Sequence, residues 1–184
     1  PSPRLFSSVT ARTAGFNTTD TAALTDGSKL LTIILMFVGG SPGSTAGGIK
    51  TTTAAMLILT VLCVLRNRRD TECFDRKIAA DSIKSGVTIA LITFFVLFAG
   101  IMALTVFEPG VNVLDLMYEA ASAMGTVGLS ADLTPSLTRA SHIVLMLMMY
   151  IGRIGPLTMA LVFAGKSDKS TQFRELPEEK VMLG

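Results

Sequence analysis

Apolar residues in this chain fall into runs of unequal length, divided by glycine, proline and charge. Val87–Phe107 (VTIALITFFVLFAGIMALTVF) carries no charge, and the similarly long Ile143–Ala164 (IVLMLMMYIGRIGPLTMALVFA) carries a single one, Arg153. A helix needs about 20 apolar residues to cross roughly 30 Å of hydrocarbon, so both are predicted to span. The second is expected to run as one helix from about Thr138 to Ala164. Leu30–Val38 and Ala54–Leu65 are markedly shorter. With a rise of about 1.5 Å per residue they reach about 14 and about 18 Å, so neither crosses alone and together they cover one membrane thickness. The stretch between them, GGSPGSTAGGIKTTT (residues 39–53), therefore predicts a helix broken near mid-membrane.

One more helical segment is too short to span. Leu114–Ala123 (LDLMYEAASA) follows the breaker EPGVN, with Asn112 as its expected cap and Asp115 and Glu119 toward its start. MGTVGLSADLTPSL then reads as an extended turn. The succession of span, half-helix, extended segment and span predicts an all-α membrane protein with membrane-pore-membrane repeats, re-entrant pore helices and a broken inner helix.

Composition supports the membrane reading. Charged residues are 16 % of the chain, against roughly a quarter in soluble domains, and mean hydropathy is +0.55. The formal charge of +2 points to no nucleic-acid partner. The first residues carry no initiator Met and no apolar signal core, so the chain reads as a piece of a longer polypeptide. Cys63 and Cys73 show no metal-ligand spacing; Cys63 reads as buried in lipid and His142 as an interfacial histidine. Met146, Met148 and Met149 read as ordinary helix packing.

The chain also repeats itself. Slid along its own sequence, Thr13–Gly39 aligns without a gap on Thr126–Gly152, with identities that include Thr13 on Thr126, Gly15 on Gly128 and Gly39 on Gly152. Each copy reads as a Thr-Xaa-Gly turn, a polar link and a membrane helix. Irregular backbone at membrane depth is tolerated only where protein buries it or water lines it. In potassium channels a Thr-Val-Gly-Tyr-Gly loop serves this way, its carbonyls replacing the water shell of the ion. Thr126, Val127, Gly128 and Leu129 match its start, and Thr13, Ala14, Gly15 and Phe16 stand at the equivalent place. Glycine permits the positive φ that turns successive carbonyls to one side, and a preceding half-helix aims the negative end of its dipole at a cation. These two short segments are the candidate potassium-binding filter.

Residues 39–53 admit two readings. Gly43 and Gly48 have the spacing of a phosphate-binding loop, but Ile49 stands before Lys50, and a helix precedes the loop where such loops follow a strand. Broken helices at the membrane midplane mark ion and substrate sites in transporters. The loop then reads as a gate below the filter, built from Gly39, Gly40, Ser41, Gly43, Ser44, Thr45, Gly47 and Gly48. Lys50 either repels cations or anchors the inner mouth. Arg153, directly after Gly152, takes the equivalent place in the second copy, where the chain is expected to stay helical, and is the candidate hydrogen-bonding partner of the loop.

TARTAGFNTTD, GGSPGSTAGGIKTTT, GTVGLS and YIGRIGPLT resemble patterns of the Trk/Ktr/HKT superfamily of potassium transporters, KtrB/TrkH type, over essentially the whole chain. The resemblance implies potassium uptake through four membrane-pore-membrane repeats around one pore, of which this chain would be the C-terminal half. Residues 1–77 would be the end of the third repeat, 78–165 the fourth, and 166–184 a cytoplasmic tail. The filters keep one glycine each, which implies weaker selectivity than in a true potassium channel. Expected partners are membrane lipid, the remaining N-terminal repeats of the subunit, a second copy as a homodimer, and cytosolic nucleotide-binding regulatory subunits. The chain would bind no cofactor of its own; K+ is the transported ion and Na+ a candidate coupling ion.

Charge sets the expected orientation. Arg66–Lys77 (RNRRDTECFDRK) and the tail from Gly165 are basic and fall on the cytoplasmic side, and the acidic link from Glu108 to Asp115 falls outside. The chain shows no nucleophile–base pair, so it is expected not to be an enzyme. An ATP-driven membrane enzyme using Lys50, or a membrane protein without a pore, are the alternatives.

Overall fold

The computed structural model describes residues 10–11, 15–16, 24–43, 47–66, 72–73, 76–155 and 158. The described architecture is helical. Helix α1 (Asp26–Phe37) is followed by an irregular loop and by α2 (Thr51–Leu65). A short antiparallel pairing, Glu72–Cys73 with Arg76–Lys77, then leads to α3 (Ala80–Phe107). Helix α4 (Val113–Gly125), a single 3-10 turn (Thr134–Ser136) and α5 (Arg139–Ile154) complete it.

Helix α3 has 28 residues, about 42 Å at about 1.5 Å per residue, and is long and apolar enough to cross a membrane. Its outer face is apolar and bare: Phe94, Phe95, Phe98 and Met102 are all more than half exposed. Facing water, such a stripe would be an aggregation hazard; facing lipid it costs nothing. Hydroxyls on the helices are satisfied internally. Thr32, Thr60, Thr93 and Thr105 each donate to the carbonyl of the preceding turn, at 2.7–2.9 Å, so these hydroxyls are not left bare in an apolar surrounding.

The short α4 is the centre of the bundle and packs against α1, α3 and α5. Its small residues allow this: Ala120, Ala121, Ser122, Ala123 and Gly125 are all buried. Tyr118 and Ala121 turn toward Ile33 and Met36 of α1, while Leu116, Ala120, Ala123 and Met124 turn toward Leu104, Leu145 and Met148 of α3 and α5. Asn112 caps α4 by accepting from the Leu114 N–H at 3.0 Å, as its place in the sequence suggests. Met148 packs directly on Gly100, and Met56 on Gly86, which brings α5 and α2 close to α3.

Three expectations shift. Helix α3 starts at Ala80, before the charge-free run, since Ala80–Gly86 continues the helix beyond the apolar stretch. Helix α4 runs from Val113 to Gly125, longer at both ends than Leu114–Ala123. Helix α5 does not continue through residue 164: it ends at Ile154, where Gly155 adopts φ +96° in front of Pro156. A residue before proline is pushed out of the helical region, and glycine takes the resulting conformation without penalty. The second copy is therefore also interrupted, beyond Arg153.

An ion pair and a carboxylate that accepts hydrogen bonds fix α1 and α5 from outside their own sequence neighbourhoods. Lys29 Nζ meets Asp115 Oδ1 at 2.6 Å, tying the first turn of α1 to the first turn of α4, with the Lys29 side chain only 9 % exposed and that of Asp115 21 %. Glu108, just beyond α3, accepts from the Thr138 N–H at 2.6 Å and from the Ser141 hydroxyl at 2.8 Å, so it holds the start of α5. The Thr138 N–H, then the Ser141 and Thr138 hydroxyls, keep its carboxyl below the ordinary 4.5.

Removing one partner from a buried ion pair leaves the other uncompensated. Lys29→Met is expected to lower unfolding free energy by about 1–3 kcal/mol, read as a fall in melting temperature in detergent, and the exchange Lys29→Asp with Asp115→Lys should restore most of it. An unchanged melting temperature would remove the pair from the fold's supports. For Glu108, a depressed folded-state value means stabilisation that is present above the ordinary carboxylate value and fades as pH falls through the depressed one. Glu108→Gln should melt below the parent at neutral pH, with the gap closing on acidification; a gap that widens in acid contradicts the contact.

Candidate functional site

The site forms where α4 stops. The Thr126 N–H returns to the Ala123 carbonyl at 3.1 Å and the Val127 N–H to the Ser122 carbonyl at 2.9 Å, closing the last turn. Thr126 itself takes the left-handed conformation (φ 53°, ψ 39°), which turns the chain away from the helix axis. Residues 127–130 then leave without helix or ladder bonds, and Gly128 has φ +87°. The side chains of Val127 and Leu129 are buried while Gly128 is exposed, with nothing within 4 Å of where its Cβ would stand.

The two predicted filter segments come together. Gly15 (φ +69°) lies against the Val127 carbonyl so closely that any Cβ at position 15 would collide with that oxygen. The Gly15 N–H bonds the Thr10 carbonyl at 3.4 Å, and the Thr10 hydroxyl donates to the Phe16 carbonyl at 2.6 Å, which shapes the first segment from within. Thr13 and Ala14 lie outside the described residues.

The glycine-rich loop reaches the same place. Its neck is closed by a parallel bridge of Val38 with Ile49: the Gly39 N–H bonds the Ile49 carbonyl at 2.8 Å and the Ile49 N–H bonds the Phe37 carbonyl at 3.1 Å. Beyond the neck, the Gly47 N–H donates to the Thr126 hydroxyl oxygen at 3.0 Å. A Cβ on Gly47 would stand 2.9 Å from the Met124 carbonyl oxygen and 3.0 Å from that of Gly125. Gly39 abuts the Gly47 carbonyl, Gly48 (φ +69°) the Phe37 carbonyl, and Gly125 the Met36 carbonyl. From the other side, Gly152 of α5 abuts the Met124 carbonyl. Bare backbone of α1, the loop, α4 and α5 thus converges on one turn.

Arg153 follows Gly152 in the last turn of α5, where a positive charge suits the helix dipole. With Thr126, Gly128 and Ser130 it lines a cavity of about 510 Å³ beside the second segment. The remaining loop residues sit farther out. Ser41 and Gly43 are exposed, and nothing lies within 4 Å of the Cβ position of Gly43 (φ +84°). Gly40 is half-buried and accepts from the Thr51 N–H at 3.2 Å. Lys50 stands half-buried at the N-cap of α2. Ser44 and Thr45 lie outside the described residues.

Sequence reading missed Thr10, Lys29 and the use made of Glu119. The buried Glu119 carboxylate accepts from the Ser130 hydroxyl, from the Ala131 N–H at 3.0 Å and from the Thr134 hydroxyl at 3.1 Å. One signal was available: an acid followed by Ala and Ser in the buried half of a short helix has to find donors. Among the described residues no group of His, Cys, Asp and Glu could hold a metal ion by such side chains. What the site offers is backbone oxygen and hydroxyl, ligands suited to a hard monovalent or divalent cation.

Comparison with known proteins agrees with that chemistry. The profile of a family described as TrkH, a cation transport protein, matches residues 3–173. The chain is 38 % identical over 179 residues to the Ktr system potassium uptake protein B of Bacillus subtilis, covering 97 % of this chain and 39 % of that protein. It is 36 % identical over 182 residues to the potassium/sodium uptake protein NtpJ of Enterococcus hirae, covering 97 % and 40 %. The Ktr system potassium uptake protein B of Vibrio alginolyticus is 33 % identical over 179 residues, with 97 % and 38 % covered. The chain spans about two fifths of the length of these curated relatives.

The glycine contacts predict opposite effects for one substitution. Gly152→Ala drives a methyl into the Met124 carbonyl and should cost about 1–3 kcal/mol as overpacking. Gly27→Ala, on α1 with nothing within 4 Å, should stabilise by about 0.5–1 kcal/mol. Melting temperatures in detergent check both; equal shifts would show that α5 does not seat on α4 through Gly152.

Proposed function

The chain belongs to the TrkH family of cation transport proteins, and from that premise we propose that it forms part of a channel-like subunit that takes up potassium ions. Family membership places the chain in a membrane. In this reading residues 1–77 end one membrane-pore-membrane repeat, 78–165 form the next and 166–184 a cytoplasmic tail. Helix α4 is a re-entrant pore helix. Thr13–Phe16 and Thr126–Leu129 are two of the filter's segments, and the rest of the subunit supplies the others.

The observation that carries the proposal is the meeting of three segments at Thr126. Gly15 abuts the Val127 carbonyl, and the Gly47 N–H holds the Thr126 hydroxyl. A potassium ion that sheds its water needs a ring of oxygens, and backbone carbonyls from converging segments supply them. Helix α4 ends at this point, so the negative end of its dipole favours the cation. The loop sits directly against the filter's threonine and acts as the gate. Passage requires that the Gly47–Thr126 bond break and the loop swing aside. Arg153, beside the same cavity, adds a positive charge that deters cations and steadies the closed loop.

The same contact weighs against the phosphate alternative. A phosphate-binding loop keeps its N–H groups turned to the anion, whereas the Gly47 N–H is committed to Thr126. Transport of this kind needs no covalent chemistry and no cofactor in the chain. Na+ is the candidate coupling ion, in keeping with the relative named for potassium/sodium uptake. Relatives named for a Ktr system support a multi-component assembly. We assign a homodimer and cytosolic nucleotide-binding subunits as its partners, with the basic Arg66–Lys77 segment and the tail on the cytoplasmic side.

The test uses the full-length subunit in cells lacking other potassium uptake. Gly128→Val should cut uptake at least about tenfold with unchanged amounts in the membrane, because the strained, filled position disrupts the segment. Shortening the loop within residues 41–47 should raise flux. Full uptake by Gly128→Val would remove that residue from the conduction path, and a lower flux from a folded, shortened loop would make the loop a support.

A further inference from the structure

We propose that Glu119 is a positioning residue for the second filter segment, and that its buried carboxylate sets how well the subunit distinguishes potassium from sodium. The proposal rests on the filter reading given above. Residues 130–133 have no helix or ladder to hold them, and Asp132 sits at φ +62°, so their course has to be fixed by side chains. One side chain does so. Glu119, 5 % exposed in the middle of α4, accepts on Oε1 from the Ser130 hydroxyl and the Ala131 N–H, and on Oε2 from the Thr134 hydroxyl. The Ser130 and Thr134 oxygens stand 2.9 Å apart, side by side on the carboxylate. A buried carboxylate needs such donors on both oxygens, and charge-assisted bonds are shorter and stronger than neutral ones.

The place of the donors gives the brace its meaning. They begin directly after Leu129, where the predicted filter segment ends. With the loop in place the segment is held at its start by the Gly47–Thr126 contact; at its end Glu119 holds it whether or not the loop has moved. Leu129 and Ala131 on either side of Ser130 are also buried in the core with Met36 and Tyr118, so the carboxylate fixes the polar side of that end. Glu119, Ser130 and Thr134 line the same cavity of about 510 Å³ as Gly128, so the chain has room to shift if the bonds are cut. Discrimination between cations of different radius depends on where the oxygens stand and how stiffly they are held. The carboxylate touches no ion; it acts through Ser130 and Ala131 on the carbonyls before them.

The test is paired potassium and sodium uptake by the full-length subunit, with membrane amounts measured alongside. Glu119→Gln and Ser130→Ala should each lower the potassium-over-sodium ratio roughly fivefold, and the double variant should lower it no further than the stronger single one, since both cut one brace. A role confined to stability would reduce both ions together and leave the ratio alone. If Glu119→Gln does not reach the membrane, Ser130→Ala and Thr134→Val decide by the same ratio. An unaltered ratio in variants of an active subunit, or effects that multiply in the double variant, would overturn this proposal alone. Absence of potassium uptake by the unaltered subunit would overturn the filter reading and this proposal with it.

Discussion

The structure depends on one constraint: backbone must touch backbone at the end of α4. The Met124 carbonyl meets Gly47 from the loop and Gly152 from α5, Gly125 meets the Met36 carbonyl, and the Val127 carbonyl meets Gly15. No side chain fits between these strands of chain, so each contact has a glycine on one side. Close approach of this kind is how helices associate where the surroundings are as apolar as the helices themselves. Here it gathers four segments distant in sequence around one turn. It also explains why α4 is short and built of Ala, Ser and Gly: a longer or bulkier helix would hold the others apart.

Irregular backbone gathered in this way must satisfy its own polar groups. The loop does so through its neck, by the bonds among Phe37, Gly39, Gly40, Ile49 and Thr51, and through Gly47 on Thr126. The extended chain after α4 does so through Glu119. Charge follows the same rule. Lys29 and Asp115 are paired, and Glu108 is given the N–H and hydroxyls at the start of α5. Threonines on the helices close their hydroxyls on the preceding turn. The bundle thus presents bare Phe, Leu and Met outward, and the polar groups it does bury have partners.

Much of this was legible in the residues. The charge-free run Val87–Phe107, the cap at Asn112 and the glycine-rich break after Phe37 each rest on local chemistry: hydropathy, a side-chain acceptor, and the absence of side chains. The break after Ile154 was not read, because the apolar run through Ala164 outweighed Gly155 and Pro156, whose local preference in fact prevails. The pairing of Lys29 with Asp115 spans 86 positions and the contact of Gly47 with Thr126 spans 79, and no periodicity reports such distances. Glu119 was visible only as an acid near a helix start. Its donors lie on the irregular stretch after the helix, where no periodicity pairs them with it.

The bridge of Val38 with Ile49 has a mechanical consequence. Because the two ends of the glycine-rich excursion are laced to each other, the excursion is a closed noose, and α1 and α2 form its fixed post. A noose can flip about its knot without pulling the rope on either side. A displacement such as the proposed gate requires would then leave the flanking helices in place, and whatever drives it would have to push on the noose itself.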